Sequence, residues 1–343
     1  MNKIGFEIVS ATDTGLVRKA NEDSCGTADT PNGYLCVVCD GMGGHAGGAT
    51  ASDIAVKCVI QYLSKEVFPD VRQSLTDALE FANVQIIGTA AEHPELKGMG
   101  STACVLLLQN DCAWFAHAGD SRIYLYAAKE KRLHRLTQDH SYVQGLVNQG
   151  LITDAEAENH PNKNRILKAL GVNEILNPEV CRQPVLPAKG DIFLICSDGL
   201  SGMASDRLIQ EILSAKKDLK HKETALMSLA KSAGGTDNIT FQMALITGSP
   251  HKRSVFESKN PFQQVKKHVV RRSWIKYAII AAAVMVTGIS AGIFFSKTGE
   301  NKTPEETIKS TDSIKKEPSH EKKNCPDNDN APGVNDTTQN KQI

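Results

Sequence analysis

Four times in this chain a lone aspartate stands where an apolar run meets a glycine. These are Asp40 in L-C-V-V-C-D-G, Asp120 in W-F-A-H-A-G-D-S, Asp198 in I-F-L-I-C-S-D-G and Asp237 in G-G-T-D-N-I-T. A fifth acid, Asp23, closes a polar loop (residues 12–24) that also carries Asp13, Arg18, Asn21 and Glu22. A single strand-end aspartate is an ordinary turn residue. Several delivered to one place repel one another strongly unless cations neutralise them, so the pattern points to a cluster of divalent metals. After Asp40 the chain turns on glycines 41, 43, 44, 47 and 48, which leaves the Gly41 carbonyl uncrowded beside the carboxylate. Oxygen donors of that kind suit hard ions such as Mg²⁺ or Mn²⁺.

Two other chemistries fit less well. Cys36 and Cys39 form a C-x-x-C with His45 nearby, the beginnings of a zinc site. No second pair stands at ligand spacing, however, and both cysteines lie inside an apolar strand. A phosphate cradle built on the glycine turn would end in Gly-Lys-Ser/Thr, which this turn does not. The nine cysteines are scattered and mostly in apolar surroundings, as thiols in a reducing compartment are.

The acids need strands and helices to position them. Residues 6–12 alternate as a strand, and Leu35–Cys39 has the length and β-branching of a buried one. Ala51, Ala55, Cys58, Val59 and Tyr62 recur at helical spacing, as do Val71, Leu75, Leu79, Ala82 and Ile86. Residues 98–109, 112–126 and 132–137 read as a meander with an Asn110-Asp111 turn, so the sheet is antiparallel at least in part. A polar excursion over 139–165 contains a short helix at 141–149. A strand at 192–196 and a last strand just after Asp237, in the stretch 234–246, enclose helices at 206–214 and 223–232.

The chain has 343 residues, is 41% hydrophobic and carries a formal charge of +0, a balance that points away from a nucleic-acid partner. Its start does not resemble a signal peptide. Residues 250–276 are strongly basic, with Glu257 the only acid. Tyr277–Ser296 follows without a charge; at roughly 1.5 Å per residue it spans the hydrocarbon core of a bilayer, with Trp274 and Tyr277 as interfacial anchors. Gly288 and Gly292 form a G-x-x-x-G, a weak signal for a homodimer contact. The tail has the polar composition of a disordered segment.

In order, T-D-x-G-x-x-R-x-x-N-E-D-S, V-C-D-G-M-G-G-H, G-S-T-A, A-G-D-S-R-x-Y, I-C-S-D-G-L and G-G-T-D-N-I-T resemble the motifs of metal-dependent protein phosphatases of the 2C type, in their bacterial form. The resemblance spans about residues 4–247. It implies an α+β fold, a four-layer α-β-β-α sandwich of two antiparallel sheets, here with a C-terminal transmembrane helix added. It also implies hydrolysis of phosphoserine and phosphothreonine on proteins by a water activated between two divalent ions, Mn²⁺ or Mg²⁺, with a third ion in bacterial members. Carried over motif by motif, Asp40 bridges two metals, with the Gly41 carbonyl on one, and Asp198 and Asp237 complete the other. Glu22 and Asp23 hold water on the metals. Asp120 with Asp198 binds the third ion, Arg18 grips the substrate phosphate, and Asn238 supports the site. Residues 141–164 correspond to a variable flap. Met42 stands where many eukaryotic members have a histidine, which leaves the leaving-group acid open; a metal-bound water is preferred over His45.

The domain reading is therefore 1–247 catalytic, 248–274 basic linker, 275–296 membrane helix and 297–343 tail. Expected partners are phosphorylated proteins, a cognate serine/threonine kinase and membrane lipids. The excess of Lys and Arg before the helix places the catalytic domain in the cytoplasm and the tail outside. The competing class is a catalytically silent phosphatase-like module at the membrane, which Mn²⁺-dependent hydrolysis of p-nitrophenyl phosphate would separate from an enzyme.

Overall fold

The computed structural model describes residues 4–249. The expected membrane helix, the tail and nearly all of the basic linker lie outside them. Among the described residues no helix is long and apolar enough to cross a membrane.

The strands are β1 (Gly5–Asp13), β2 (Asp23–Thr30), β3 (Gly33–Met42), β4 (Gly100–Ser101), β5 (Ala103–Gln109), β6 (Cys112–Ala118), β7 (Arg122–Ala127), β8 (Arg132–Arg135), β9 (Glu179–Val180), β10 (Ile192–Cys196) and β11 (Ile239–Gly248). The helices are α1 (His45–Leu63), α2 (Val71–Glu92), α3 (Tyr142–Gln149), α4 (Asp154–Glu158), α5 (Asp198–Ser201), α6 (Asp206–Ser214) and α7 (Leu219–Ser232). One sheet runs β1-β11-β10-β7-β8 and the other β2-β3-β5-β6-β9, with β4 paired to β3. Every strand pairing is antiparallel.

Alternation along the strands assembles three apolar layers. Leu35, Val37 and Cys39 of β3 point to α1 and α2, where they meet Ala55, Val59, Leu75, Leu79 and Ile86. Cys36 and Val38 point the other way, between the sheets, against Ile123, Phe193, Ile195 and Ala244. The far faces of β10 and β11 bury Leu194, Phe241 and Met243 under α5, α6 and α7. Two-faced burial explains why β3 and β10 read as unbroken apolar runs rather than alternating ones. Cys36 and Cys39 are free, buried thiols, as expected of core residues.

Several elements differ from the sequence reading: α7 begins at Leu219 rather than Glu223, and the stretch 98–109 divides into β4 and β5. Residues 112–126 are not one strand. The chain breaks at Gly119, whose φ of +109° suits glycine, and passes from β6 in one sheet to β7 in the other. The expected meander is thus divided between sheets, and Asp120 sits at the crossover. The loop read over 12–24 also ends early, because Asp23 begins β2.

Candidate active site

Asp40 lies within β3, opposite Asp23 of β2 in register. Both backbone groups of Asp40 are held by one residue: its N–H donates to Thr102 Oγ1 (2.9 Å), and its carbonyl accepts the Thr102 N–H (2.8 Å). Beyond it, the Gly41 N–H donates to the Glu22 carbonyl at 3.1 Å. A Cβ on Gly41 would fall 2.0 Å from the Gly48 carbonyl oxygen, and one on Gly48 would fall 2.1 Å from Glu22 Oε2. Glycine at 41 and 48 is what lets the start of α1 close on Glu22.

The other acids arrive from the second sheet. Asp198 opens α5 at the end of β10, close enough for its charge to act on the Asp40 carboxyl. Ser197 donates from Oγ to Asp23 Oδ2 at 2.8 Å. Asp120 comes from the crossover turn, where Ser121 Oγ meets Thr102 Oγ1 at 2.7 Å. Asp237 precedes β11. Its Oδ1 accepts the Asn238 N–H (2.8 Å), and its Oδ2 accepts from Arg18 Nη2 (2.7 Å). Asn238 fastens the Arg18 loop: its Oδ1 accepts the Glu22 N–H at 2.8 Å, and its Nδ2 donates to the Thr14 and Ala20 carbonyls, both at 2.9 Å.

The electrostatics are those of acids crowded out of water. Burial, then the charges of Asp198, Asp23, Asp120 and Asp237, hold the Asp40 carboxyl well above the usual range. Burial pushes Asp120 up to about 8, with Asp198 and Asp139 adding to it. It pushes Asp23 up to about 7 against the opposing hydrogen bonds from Thr240 and Ser197. Asp198 is raised by burial and by Asp237. Partial burial works against the Arg18 charge, but Asp237, Glu22 and Asp198 hold its pKa above the ordinary value. Asp120 Oδ1 and Asp198 Oδ1 are buried with no hydrogen-bond partner. Unpartnered carboxylate oxygens among mutually repelling acids form a donor set that divalent cations fit.

Asp40, Gly41, Glu22, Asp23, Asp120, Asp198, Asp237, Arg18 and Asn238 gather here, whereas Asp13 of the same polar loop pairs with Lys231 and His45 begins α1. Arg18 and Asp237, assigned separate roles, are in direct contact. Sequence reasoning missed Thr102 and Ser197, although G-S-T-A and C-S-D-G were both noted. It also missed Arg122, which binds Asp139 through Nε (3.1 Å) and Nη2 (2.8 Å) beside the cluster.

A model of the protein phosphatase 2C family matches residues 17–239. The serine/threonine phosphatase stp of Listeria welshimeri is 35% identical over 234 residues, covering 67% of this chain and 91% of that protein. The crystal structure of the Staphylococcus aureus serine/threonine phosphatase Stp1 superposes with a TM-score of 0.67 at 32% identity, covering 72% of this chain and 97% of that one. The catalytic domain of the phosphatase PstP, solved with two manganese ions, gives a TM-score of 0.62 at 33% identity, covering 71% and 99%.

Proposed function

The chain belongs to the protein phosphatase 2C family, and on that footing we propose that its aspartate cluster is the metal centre of a protein serine/threonine phosphatase. The activity is the metal-dependent removal of phosphate from serine and threonine on proteins. The observation that carries the assignment of the site is the convergence of Asp40, Asp198, Asp237 and Asp120, two of them with orphaned buried oxygens.

Asp40, the Gly41 carbonyl, Asp198 and Asp237 would hold two divalent ions, Glu22 and Asp23 would act through bound water, and Asp120 with Asp198 would hold a third. Ions bound there supply Lewis acidity that makes water nucleophilic near neutral pH and offset the charge of the phosphoryl group. The protein's own part is positional. Thr102 pins the Asp40 backbone, Ser197 orients Asp23, and Asn238 holds the loop from which Arg18 reaches the cluster. Arg18 is half exposed at the mouth of the site. Its planar fork, already directed at a carboxylate, suits two oxygens of a phosphate. No feature among the described residues favours a catalytically silent module. The test is hydrolysis of a phosphoserine peptide in saturating Mn²⁺. Asp40→Asn should abolish turnover while the protein stays folded, and turnover within a few-fold of wild type would refute the bridging role.

The assignment extends to a membrane-anchored enzyme opposing a serine/threonine kinase. Its support is the uncharged stretch Tyr277–Ser296 and the basic run before it, which suits anionic inner-leaflet lipids. The catalytic domain would be cytoplasmic and the tail outside, with the G-x-x-x-G as a weak dimer contact. In intact spheroplasts, added protease should trim the tail and spare the catalytic domain; the reverse pattern would overturn the orientation.

A further inference from the structure

Outside the aspartate cluster, His117, His140 and Glu179 bring their donor atoms within 4.8 Å of one another. The set resembles a transition-metal site in composition, and His117 Nδ1 is buried without a partner, but the hydrogen bonds of His140 oppose its serving as a ligand. The Gly119 N–H donates to His140 Nδ1 at 3.2 Å. The lone pair of the neutral ring is therefore at Nδ1 and its proton at Nε2. That Nε2 faces Glu179 Oε2 at 3.4 Å. A metal at Nε2 would have to strip the proton and leave an imidazolate between a cation and an N–H.

The remaining contacts fix the ring. His117 Nε2 donates to the Gln138 carbonyl at 3.0 Å, and the two imidazoles stack with centroids 4.5 Å apart and planes 8° from parallel. Burial and the neighbouring His140 push the His117 pKa down to about 4, so His117 is an uncharged plate behind its partner. Glu179 is brought opposite His117 by the pairing of β6 with β9.

What the ring holds is the turn before Asp120. The Gly119 N–H goes to His140 Nδ1, and the Gly119 carbonyl accepts the His140 backbone N–H at 2.9 Å. Both polar groups of residue 119 are thus held by one residue. The far side of the turn is tied through Ser121 and Thr102 to Asp40. A Cβ on Gly119 would meet Thr102 Cγ2 at 2.6 Å, so the turn has no room to shift that way.

We propose that His140 is a positioning residue for metal binding at Asp120: it clasps residue 119 by both polar groups, and Glu179 keeps its ring in the tautomer that accepts the Gly119 N–H. The proposal rests on the reading of Asp120 as a ligand of the third ion.

The test is a Mn²⁺ titration of the full-length protein, read by the paramagnetic resonance signal of free Mn²⁺ rather than by activity. Asp120→Asn should abolish the weakest class of bound ion. His140→Phe, which keeps a ring but no acceptor, should weaken that same class about tenfold, the equivalent of one hydrogen bond, and leave the tighter ions unchanged. His140→Asn places an amide oxygen where Nδ1 stands and should remain within about twofold of wild type, since the bond to Gly119 is kept. If His140→Phe does not fold, Glu179→Ala carries the test, with a weakening of about threefold expected from the loosened ring. The proposal is overturned if Asp120→Asn loses an ion that His140→Phe, or Glu179→Ala in its place, binds as wild type. It is also overturned if His140→Asn is as damaging as His140→Phe. An additional ion lost in both His140 variants but kept in Asp120→Asn would make the cluster a metal site instead. Wild-type binding by Asp120→Asn would refute the underlying reading of Asp120, and the proposal with it.

Discussion

Replacing Asn238 with alanine probes how much of the site depends on one amide. Asn238 is 4% exposed, and its side chain makes three bonds, to the Glu22 N–H and to the Thr14 and Ala20 carbonyls. At about 1 kcal/mol for each bond the loss is about 3 kcal/mol; water regains part of it at the half-exposed carbonyls, leaving roughly 2–3 kcal/mol. For a domain of this size that lowers Tm by roughly 5–10 °C. The functional cost falls on Arg18, because the loosened segment 14–22 carries it to Asp237. A phosphopeptide KM about tenfold higher, with kcat changed much less, is expected if Arg18 placement governs substrate binding. Thermal melts and steady-state kinetics on the same preparation provide the assay. Asn238→Asp keeps an acceptor for Glu22 but sets a carboxylate against two carbonyls, so it should be at least as damaging. A Tm within a degree or two of wild type together with an unchanged KM for Asn238→Ala would refute the reasoning.

Three further outcomes follow from the same geometry. Thr102→Val removes the acceptor for the Asp40 N–H and the bond to Ser121, and should cost about 1–2 kcal/mol in denaturant unfolding and lower kcat. Gly48→Ala sets a methyl onto Glu22 Oε2, so the fold should persist while Mn²⁺ affinity measured by calorimetry falls. The pH dependence has a definite sign: Asp23 and Asp120 are raised to about 7 and about 8, so the folded protein binds more protons than the unfolded chain above the ordinary aspartate range. Chelator-treated protein should therefore lose stability as pH rises from about 4 to about 8, and saturating Mn²⁺ should flatten that slope. Stability of the chelated protein that increases over this range would contradict the crowded-carboxylate picture.

The parts of the fold legible in the sequence are those in which burial repeats along the chain. The helical stripes of α1 and α2 and the apolar runs of β3, β5 and β10 each record what they pack against. β2 was not legible, because D-S-C-G-T-A-D-T has no apolar face; it is held by pairing to β3. The passage between sheets at Gly119 was hidden for another reason. Apolar residues continue on both sides of it, and only a left-handed glycine marks the change. In the site, Asp40, Asp120 and Asp198 could be found because each follows an apolar run, and Asp237 because it stands just ahead of one. Residues that act through backbone contacts leave no such mark: nothing in the sequence near Thr102 predicts that it holds Asp40, and His140 and Glu179 meet only because β9 pairs with β6.

The central claim is that the buried aspartates form a divalent-metal centre, and anomalous diffraction at the manganese edge from Mn²⁺-soaked crystals tests it most directly. The account predicts two strong peaks shared among Asp40, Asp198 and Asp237, one of them beside the Gly41 carbonyl, with any third peak between Asp120 and Asp198. An aspartate cluster without peaks at saturating Mn²⁺, or peaks confined to His117, His140 and Glu179, would contradict it.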